Sequence, residues 1–178
     1  MKKLMNPTTA LVPCPVVLLS VAGEDKPNVI TLSWAANICS RPPSIGIGIR
    51  PSRFSYDMVK LAGEYVINIP GSDLIEGTKF CGTKSGRDYD KFTECGFTPV
   101  PATKVNAPLI KECPINLECR TTEIVNVGAH DLFIAEIVAV HIDEDVLNEV
   151  GRLDTSKASL FTYLPLTGEY WKLGERLQ

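Results

Sequence analysis

A mainly β, antiparallel barrel with a few short helical insertions is the fold this sequence predicts. Three observations lead there. Seven or eight runs rich in β-branched and aromatic residues recur along the 178-residue chain. Glycine, proline and acidic turn residues separate most of them at hairpin spacing, not by the dozen or more residues of a strand–helix–strand crossover. Helical periodicity is confined to two or three short segments, which fits an all-β closure better than a doubly wound sheet. With no internal repeat, low-complexity stretch or linker, residues 1–178 are expected to form a single domain.

The elements follow in chain order. Residues 15–22 form a near-continuous apolar run, expected as a strand buried on both faces. A polar turn at 23–27 leads into a second strand from Val29 through Trp34, which is expected to continue to Ser40, where Arg41-Pro42-Pro43 stops the ladder. Residues 45–49 alternate isoleucine with glycine, so one face is β-branched and the other bare, as if something large approaches that backbone. Pro51 ends this strand. A helix then starts near Ser55, with Phe54, Met58, Leu61 and Ala62 on one face and Gly63 as its left-handed cap. Residues 64–69 are a further strand. Asp73 and Glu76 have capping-box spacing and predict a short helix reaching Cys81. A polar, glycine-punctuated segment follows to Phe92, then a proline-bearing loop to residue 112 with at most a short helical turn. Residues 115–127 alternate as a half-exposed strand, and 131–142 make the longest apolar one. An acidic turn or short helix at 143–150 precedes final strands at 161–163 and 169–173.

Composition narrows the function. Forty-four per cent of residues are hydrophobic, 22% are charged and the net charge is −3, so no broad basic surface for nucleic acid is present. No apolar run approaches the ~20 residues that span a bilayer. The six cysteines show no two-residue spacing of a zinc or redox motif, and the start of the chain is broken by Pro7, Pro13 and Pro15 with no cleavage site. A cytoplasmic protein with reduced thiols is the expectation. Two nucleotide motifs fail: Gly46-x-Gly48 meets Pro51 where a third glycine belongs, and Gly77-x4-Gly82 is followed by Thr83-Lys84 in the wrong order. The two histidines, His130 and His141, do not make a metal site.

Three segments carry chemistry. Arg50-Pro51-Ser52-Arg53-Phe54-Ser55 places two guanidinium groups and two hydroxyls at a helix N-terminus, a good address for a phosphate or, equally, a solvated helix start. Thr31, Ser33 and Asn37 offer a donor–acceptor ladder for a heterocycle, or a solvent-facing strand edge; Trp34 lies on the opposite face. Residues 85–92, with Arg87 and Lys91 beside two aspartates, are either a solvated face or a cationic lid. His130 stands alone before the longest strand, with an ordinary pKa suited to hydrogen-bonding a cofactor or cosubstrate.

In this order, Thr31-x-Ser33-Trp34-Ala35 with Asn37, Pro42-Pro43, Arg50-x-Ser52-Arg53-Phe54-Ser55, Asn68, Lys84-Ser85-Gly86-Arg87-Asp88-x-Asp90-Lys91-Phe92, His130, Tyr163 and Tyr170-Trp171-Lys172-Leu173-Gly174 resemble the flavin reductase-like family. Those are FMN-binding split barrels, flavoredoxin and small ferric reductases among them. The resemblance implies a split-barrel homodimer holding FMN near the subunit interface. It assigns Arg50, Ser52, Arg53 and Ser55 to the phosphate, Thr31, Ser33, Trp34, Ala35, Asn37 and Ser40 to the ring side, and Ser85, Gly86, Arg87 and Lys91 to the covering segment. NADH or NADPH would donate electrons for reduction of flavin, ferric iron or another acceptor, with His130 the one candidate catalytic residue. Relatives often carry an acidic residue before this histidine; Ala129 here supplies no carboxylate to orient it. The alternative is a flavoredoxin-like electron carrier that serves a redox-protein partner without nicotinamide activity.

Overall fold

The computed structural model describes residues 1–177. A short strand β1 (Cys14–Pro15) leads into the hairpin β2 (Val17–Val21) and β3 (Asn28–Leu32), then β4 (Ala35–Ser40) and β5 (Pro43–Ile49). Helix α1 (Phe54–Ala62) and β6 (Glu64–Ile69) precede α2 (Ile75–Thr83) and α3 (Lys91–Cys95). Two-residue strands β7 (Pro99–Val100) and β8 (Leu109–Ile110) pair across a loop before the long hairpin of β9 (Ile115–Asn126) and β10 (Asp131–Ile142). Helix α4 (Thr155–Ala158) and the hairpin β11 (Phe161–Leu164) and β12 (Glu169–Lys172) complete the described elements.

Seven strands form one antiparallel sheet in the order β3-β2-β6-β9-β10-β5-β4, which confirms the mainly β architecture. Its two edge strands, β3 and β4, are consecutive in the chain. The sequence pattern joined them as one strand, but the ladder of β3 ends at Leu32 and Ser33–Trp34 step across to the opposite edge. There the Gly48 amide donates to the Trp34 carbonyl at 2.8 Å. The sheet thus curls until its edges meet. A second small sheet, β1-β11-β12, ties the chain before β2 to the C-terminal hairpin, with Cys14 opposite Tyr163.

The barrel interior is filled from every wall: Leu19, Ile47, Ile49, Val59, Tyr65, Ile67 and Phe133 are fully buried. Each such aliphatic or aromatic side chain stabilises the fold by about 1.5–3 kcal/mol. A second cluster of Leu18, Val29, Cys81, Phe92, Phe97, Ile110 and Cys113 seats α2 and α3 on the outer face of β2 and β3. As a result β2 is buried on both faces, as its unbroken apolar run requires.

Two local expectations change. Helix α1 buries Ser55, Tyr56 and Val59, whereas Leu61 is 83% exposed. Its inward face carries hydroxyls with partners: Asn28 Nδ2 donates to Ser55 Oγ at 2.7 Å and Tyr56 OH donates to Asp131 at 2.6 Å. Hydrophobic periodicity cannot see such satisfied polar burial. Its end is as expected, with Gly63 at φ 65° donating to the Val59 carbonyl. At α2, no capping box forms; Asp73 lies in a preceding 3-10 turn, Ser72–Leu74, and Leu74 occupies the cap position without a side-chain bond. No helix among the described residues is long and apolar enough to cross a membrane.

Candidate functional site

Two adjoining cavities open beside the β3–β4 step, and they share Ile30 and Arg53 as a common wall. The smaller, about 140 Å³, lies between the start of α1 and the segment after α2. The larger, about 260 Å³, runs along residues 30–34 to His130 and Tyr163. Together they reach the size range of small-ligand sites, ~300–1,000 Å³.

The smaller cavity gathers Ser52, Arg53, Ser55, Lys84, Ser85, Gly86, Arg87 and Lys91. Helix α1 begins there with Arg53 in extended conformation and no side chain capping it. The Tyr56 amide donates to the Arg53 carbonyl, which leaves the amides of Phe54 and Ser55 for an anion. Lys91 is 4% exposed, and its ammonium donates to the carbonyls of Val29 (2.8 Å) and Cys81 (2.9 Å). Burial pushes its pKa down, while the nearby thiols Cys81 and Cys95 act against that. None of Arg50, Arg53, Lys84, Arg87 or Lys91 forms an ion pair with a carboxylate among the described residues. A buried cation is normally paired; here buried Lys91 has no carboxylate partner, and the exposed Arg53, Lys84 and Arg87 line the same small cavity.

Gly86 has a steric reason to be glycine. A Cβ there would collide with the Asn28 side chain and come within 2.8 Å of the Phe54 ring. Asn28 is thus doubly committed, to Ser55 and to the close passage of the covering segment. Over Phe54, at 5.3 Å from its centroid, lies the Arg87 guanidinium, and Lys84 lies 5.7 Å from the Tyr89 ring.

The larger cavity is lined by Thr31, Ser33, Trp34, Gly48, Arg50, His130 and Tyr163. Thr31 has spent its hydroxyl on the Thr78 carbonyl of α2, so it meets a ligand through its backbone and methyl. His130 sits in the β9–β10 turn, where Gly128 takes φ 112° and the Val127 amide donates to the His130 carbonyl. Its ring meets Trp34 edge-on, centroids 6.4 Å apart. The Arg50 Nε donates to His130 Nε2 at 3.2 Å. Burial, followed by the charges of Arg50 and Arg53, lowers the His130 pKa, so the imidazole is held neutral. The orienting partner of His130 is therefore a guanidinium, not a carboxylate. Asp131, next in sequence, is engaged by Tyr56 and by Asn126, whose amide donates at 2.7 Å.

Several assignments move. Arg50 lies in the larger cavity with His130 and not with the phosphate-type cluster. Asn37 and Ser40 are exposed further along β4 and line neither cavity. Ala35 packs against the barrel core and faces a separate apolar hollow of about 650 Å³. The bare face of β5 is covered by side chains: a Cβ at Gly46 would meet Ile38 and Leu132 at 3.2 Å, and one at Gly48 would meet Trp34 at 3.2 Å. Asn28 and Lys84 were not singled out as site residues from sequence. The signal for Asn28 is a poor strand former placed at the start of β3, buried and side-chain bonded.

Comparison with known proteins gives the family. Residues 9–164 match the model of the flavin reductase like domain. The fold superposes on flavoredoxin of Desulfovibrio vulgaris (Miyazaki F) with TM-score 0.94 and 33% identity, covering 100% of this chain and 96% of that one. Flavoredoxin from Methanosarcina acetivorans gives TM-score 0.92 and 28% identity, covering 100% and 95%. The NADH:riboflavin 5'-phosphate oxidoreductase of Streptomyces pristinaespiralis is 27% identical over 140 residues, 79% of this chain and 73% of its own. By its ordered motifs, its split-barrel architecture and these matches, the chain belongs to the flavin reductase-like family.

Proposed function

We propose that the chain binds FMN across the two cavities and uses NADH or NADPH to reduce flavin, ferric iron or another acceptor. The observation that carries the reading is the carboxylate-free cation cluster of exposed Arg53, Lys84 and Arg87 around buried Lys91, at the uncapped N-terminus of α1 and adjoining the larger cavity. A terminal phosphate answers all of its donors, and a charge-assisted hydrogen bond contributes about 1.5–3 kcal/mol. Ser52 and Ser55 add neutral donors beside it. The larger cavity, walled by Ser33, Trp34 and the backbone of residues 31–33, takes the ring.

FMN, when bound, supplies the hydride and electron transfer. The protein's own residues position and shield. Arg53 and Lys91 anchor one end, while Arg87 and Lys84 close over it. Arg50 holds His130 neutral at the rim of the larger cavity, where an imidazole can hydrogen-bond a cosubstrate such as a nicotinamide amide. We also propose that the protein works as a homodimer. Supporting this, Leu11, Ile38 and Val127 are exposed around the apolar hollow beside β4, the strand that carries Asn37 and Ser40.

The test is spectroscopic. The purified protein with added FMN is expected to show bound-flavin absorbance, and anaerobic addition of NADH or NADPH to bleach it. A protein that takes up no flavin would overturn the reading. If flavin binds but neither nicotinamide reduces it, the carrier reading holds, which the likeness to flavoredoxin favours. The two arginines separate as well. Arg53→Ala is expected to weaken FMN binding ~10–100-fold, the loss of one or two charged hydrogen bonds. Arg50→Ala should weaken it less and raise the His130 pKa, followed by NMR titration of the ring; equal losses of affinity would return Arg50 to the phosphate.

A further inference from the structure

The cationic segment that covers the smaller cavity begins and ends at a pair of thiols. Cys81 lies in the last turns of α2 and Cys95 is the final residue of α3, and their Sγ atoms are 3.7 Å apart. Between them run Lys84, Ser85, Gly86, Arg87 and Lys91, all cavity-lining residues. A disulfide needs the sulfurs at about 2.05 Å, so an approach of a couple of ångströms closes the bond. The ends that must move are a helix terminus and a five-residue helix, not barrel strands.

We propose that Cys81 and Cys95 form a reversible redox pair whose oxidation closes residues 81–95 into a covalent ring carrying the anion-binding segment. Accessibility sets the roles. Cys95 is half-buried, while Cys81 is 1% exposed inside the cluster with Phe92 and Phe97. Cys95 is therefore the sulfur that meets a small oxidant, and Cys81 the one that resolves it. With hydrogen peroxide, the Cys95 thiolate attacks one peroxide oxygen and the O–O bond breaks, giving a sulfenic acid and water. Cys81 then displaces that hydroxyl as a second water, and the S–S bond forms. Two thiols and one peroxide give one disulfide and two waters, with the peroxide reduced and the sulfurs oxidised. Burial raises both thiol pKa values, and the Lys91 charge opposes that for each; oxidation is consequently slow near neutrality and accelerates as pH rises.

The other cysteines make the pair specific. Cys39 is exposed on β4 and can cross-link only between molecules or take up oxidant alone. Cys113 shares the buried cluster, as an internal competitor for Cys81. Cys14 and Cys119 are buried elsewhere, in other parts of the fold.

Closing the ring pre-organises the segment that contacts the anion, which lowers the ordering cost of binding. Flavin release from the oxidised protein is expected to slow roughly three-fold or more for this reason. That consequence rests on the phosphate reading of the cavity; the cross-link itself does not. The experiment treats the full-length Cys39→Ser protein with hydrogen peroxide at mildly alkaline pH, alkylates under denaturing conditions, and maps peptides by mass spectrometry before and after dithiothreitol. A dithiothreitol-sensitive peptide joining 81 to 95, kept in Cys113→Ser and lost in Cys95→Ser, is the expected result. Full alkylation of both residues, a Cys81–Cys113 link, or Cys95 sulfinic acid with Cys81 free would each overturn the pair. FMN release is then timed on both forms. A cross-link that leaves release unchanged overturns the coupling to the cover, and a protein that cross-links yet binds no FMN in either form locates the failure in the flavin reading instead.

Discussion

Lys91→Met is expected to weaken FMN binding about 10–100-fold and to destabilise the flavin-free protein by roughly 1–3 kcal/mol. The two losses have separate causes. In the folded chain the ammonium bridges the Val29 carbonyl of β3 and the Cys81 carbonyl of α2, so its removal leaves both acceptors buried without a donor. Relief from desolvation works the other way, because the same burial lowers the Lys91 pKa. Charged hydrogen bonds at 2.8 and 2.9 Å outweigh that relief. For the ligand, the third ammonium proton and the positive charge disappear from a cavity that has no carboxylate to rebalance. Urea unfolding with and without FMN reads both effects at once: the flavin-free midpoint falls, and most of the stabilisation by added flavin is lost. A variant with unchanged flavin affinity would show that Lys91 is a purely structural clamp.

A second large effect lies away from the cavities, at Glu118. Its carboxylate is fully buried and accepts from the Thr103 amide and hydroxyl, the Lys104 and Val105 amides, and His141 Nε2 at 2.6 Å. Burial alone would raise its pKa; the bonds from Thr103, His141 and Lys104 overcome this and hold it at about 2. Glu118→Gln keeps the shape but turns an amide NH2 toward backbone donors that need an acceptor. The expected cost is on the order of 3–5 kcal/mol, read as a melting temperature lower by on the order of 6–20 °C. FMN affinity of the folded fraction should be unchanged, since Glu118 lines neither cavity. The pH dependence follows in sign. With the folded pKa below the unfolded one, the carboxylate's contribution is complete above the unfolded value near ~4.3 and is lost as pH falls toward 2. Wild-type stability should therefore drop through that acidic window more steeply than that of Glu118→Gln. Parallel acid profiles for the two proteins would refute the assignment.

These two residues also mark what the sequence does and does not disclose. The β architecture was legible because alternation, glycine and proline punctuation act locally: the strands at 17–21, 43–49 and 64–69 fall close to where the pattern places them, and the one at 28–32 begins there but ends well before Ser40. The long hairpin of β9 and β10 was legible for the same reason. Glu118 was not, because residues 115–127 alternate like a strand with one wet face. That second face is roofed by the loop around residues 103–105, a non-local contact. Likewise the step at Ser33–Trp34 has no glycine, proline, asparagine or aspartate to announce it, and Ser33 alone also suits a strand edge. At the site, charge and hydroxyl content pointed to Arg53, Ser52, Ser55, Arg87 and Lys91, which line one cavity. Which cavity Arg50 faces depends on a hydrogen bond to His130, 80 positions away, and no local pattern encodes that.

The meeting of β3 and β4 at opposite edges of a single sheet carries a last implication. The larger cavity is built on the joint itself, from residues 30–34 on one side and Gly48, Arg50 and His130 on the other. That surface is complete only with the margins together, so a molecule bound there is expected to favour the closed sheet, as any ligand favours the form that binds it. By mass action, ligand at a hundred times its dissociation constant would add about 2.7 kcal/mol to the closed form. The backbone amides that ought to register this are those along the joint, where the Gly48 amide donates to the Trp34 carbonyl at the head of the β4–β5 ladder.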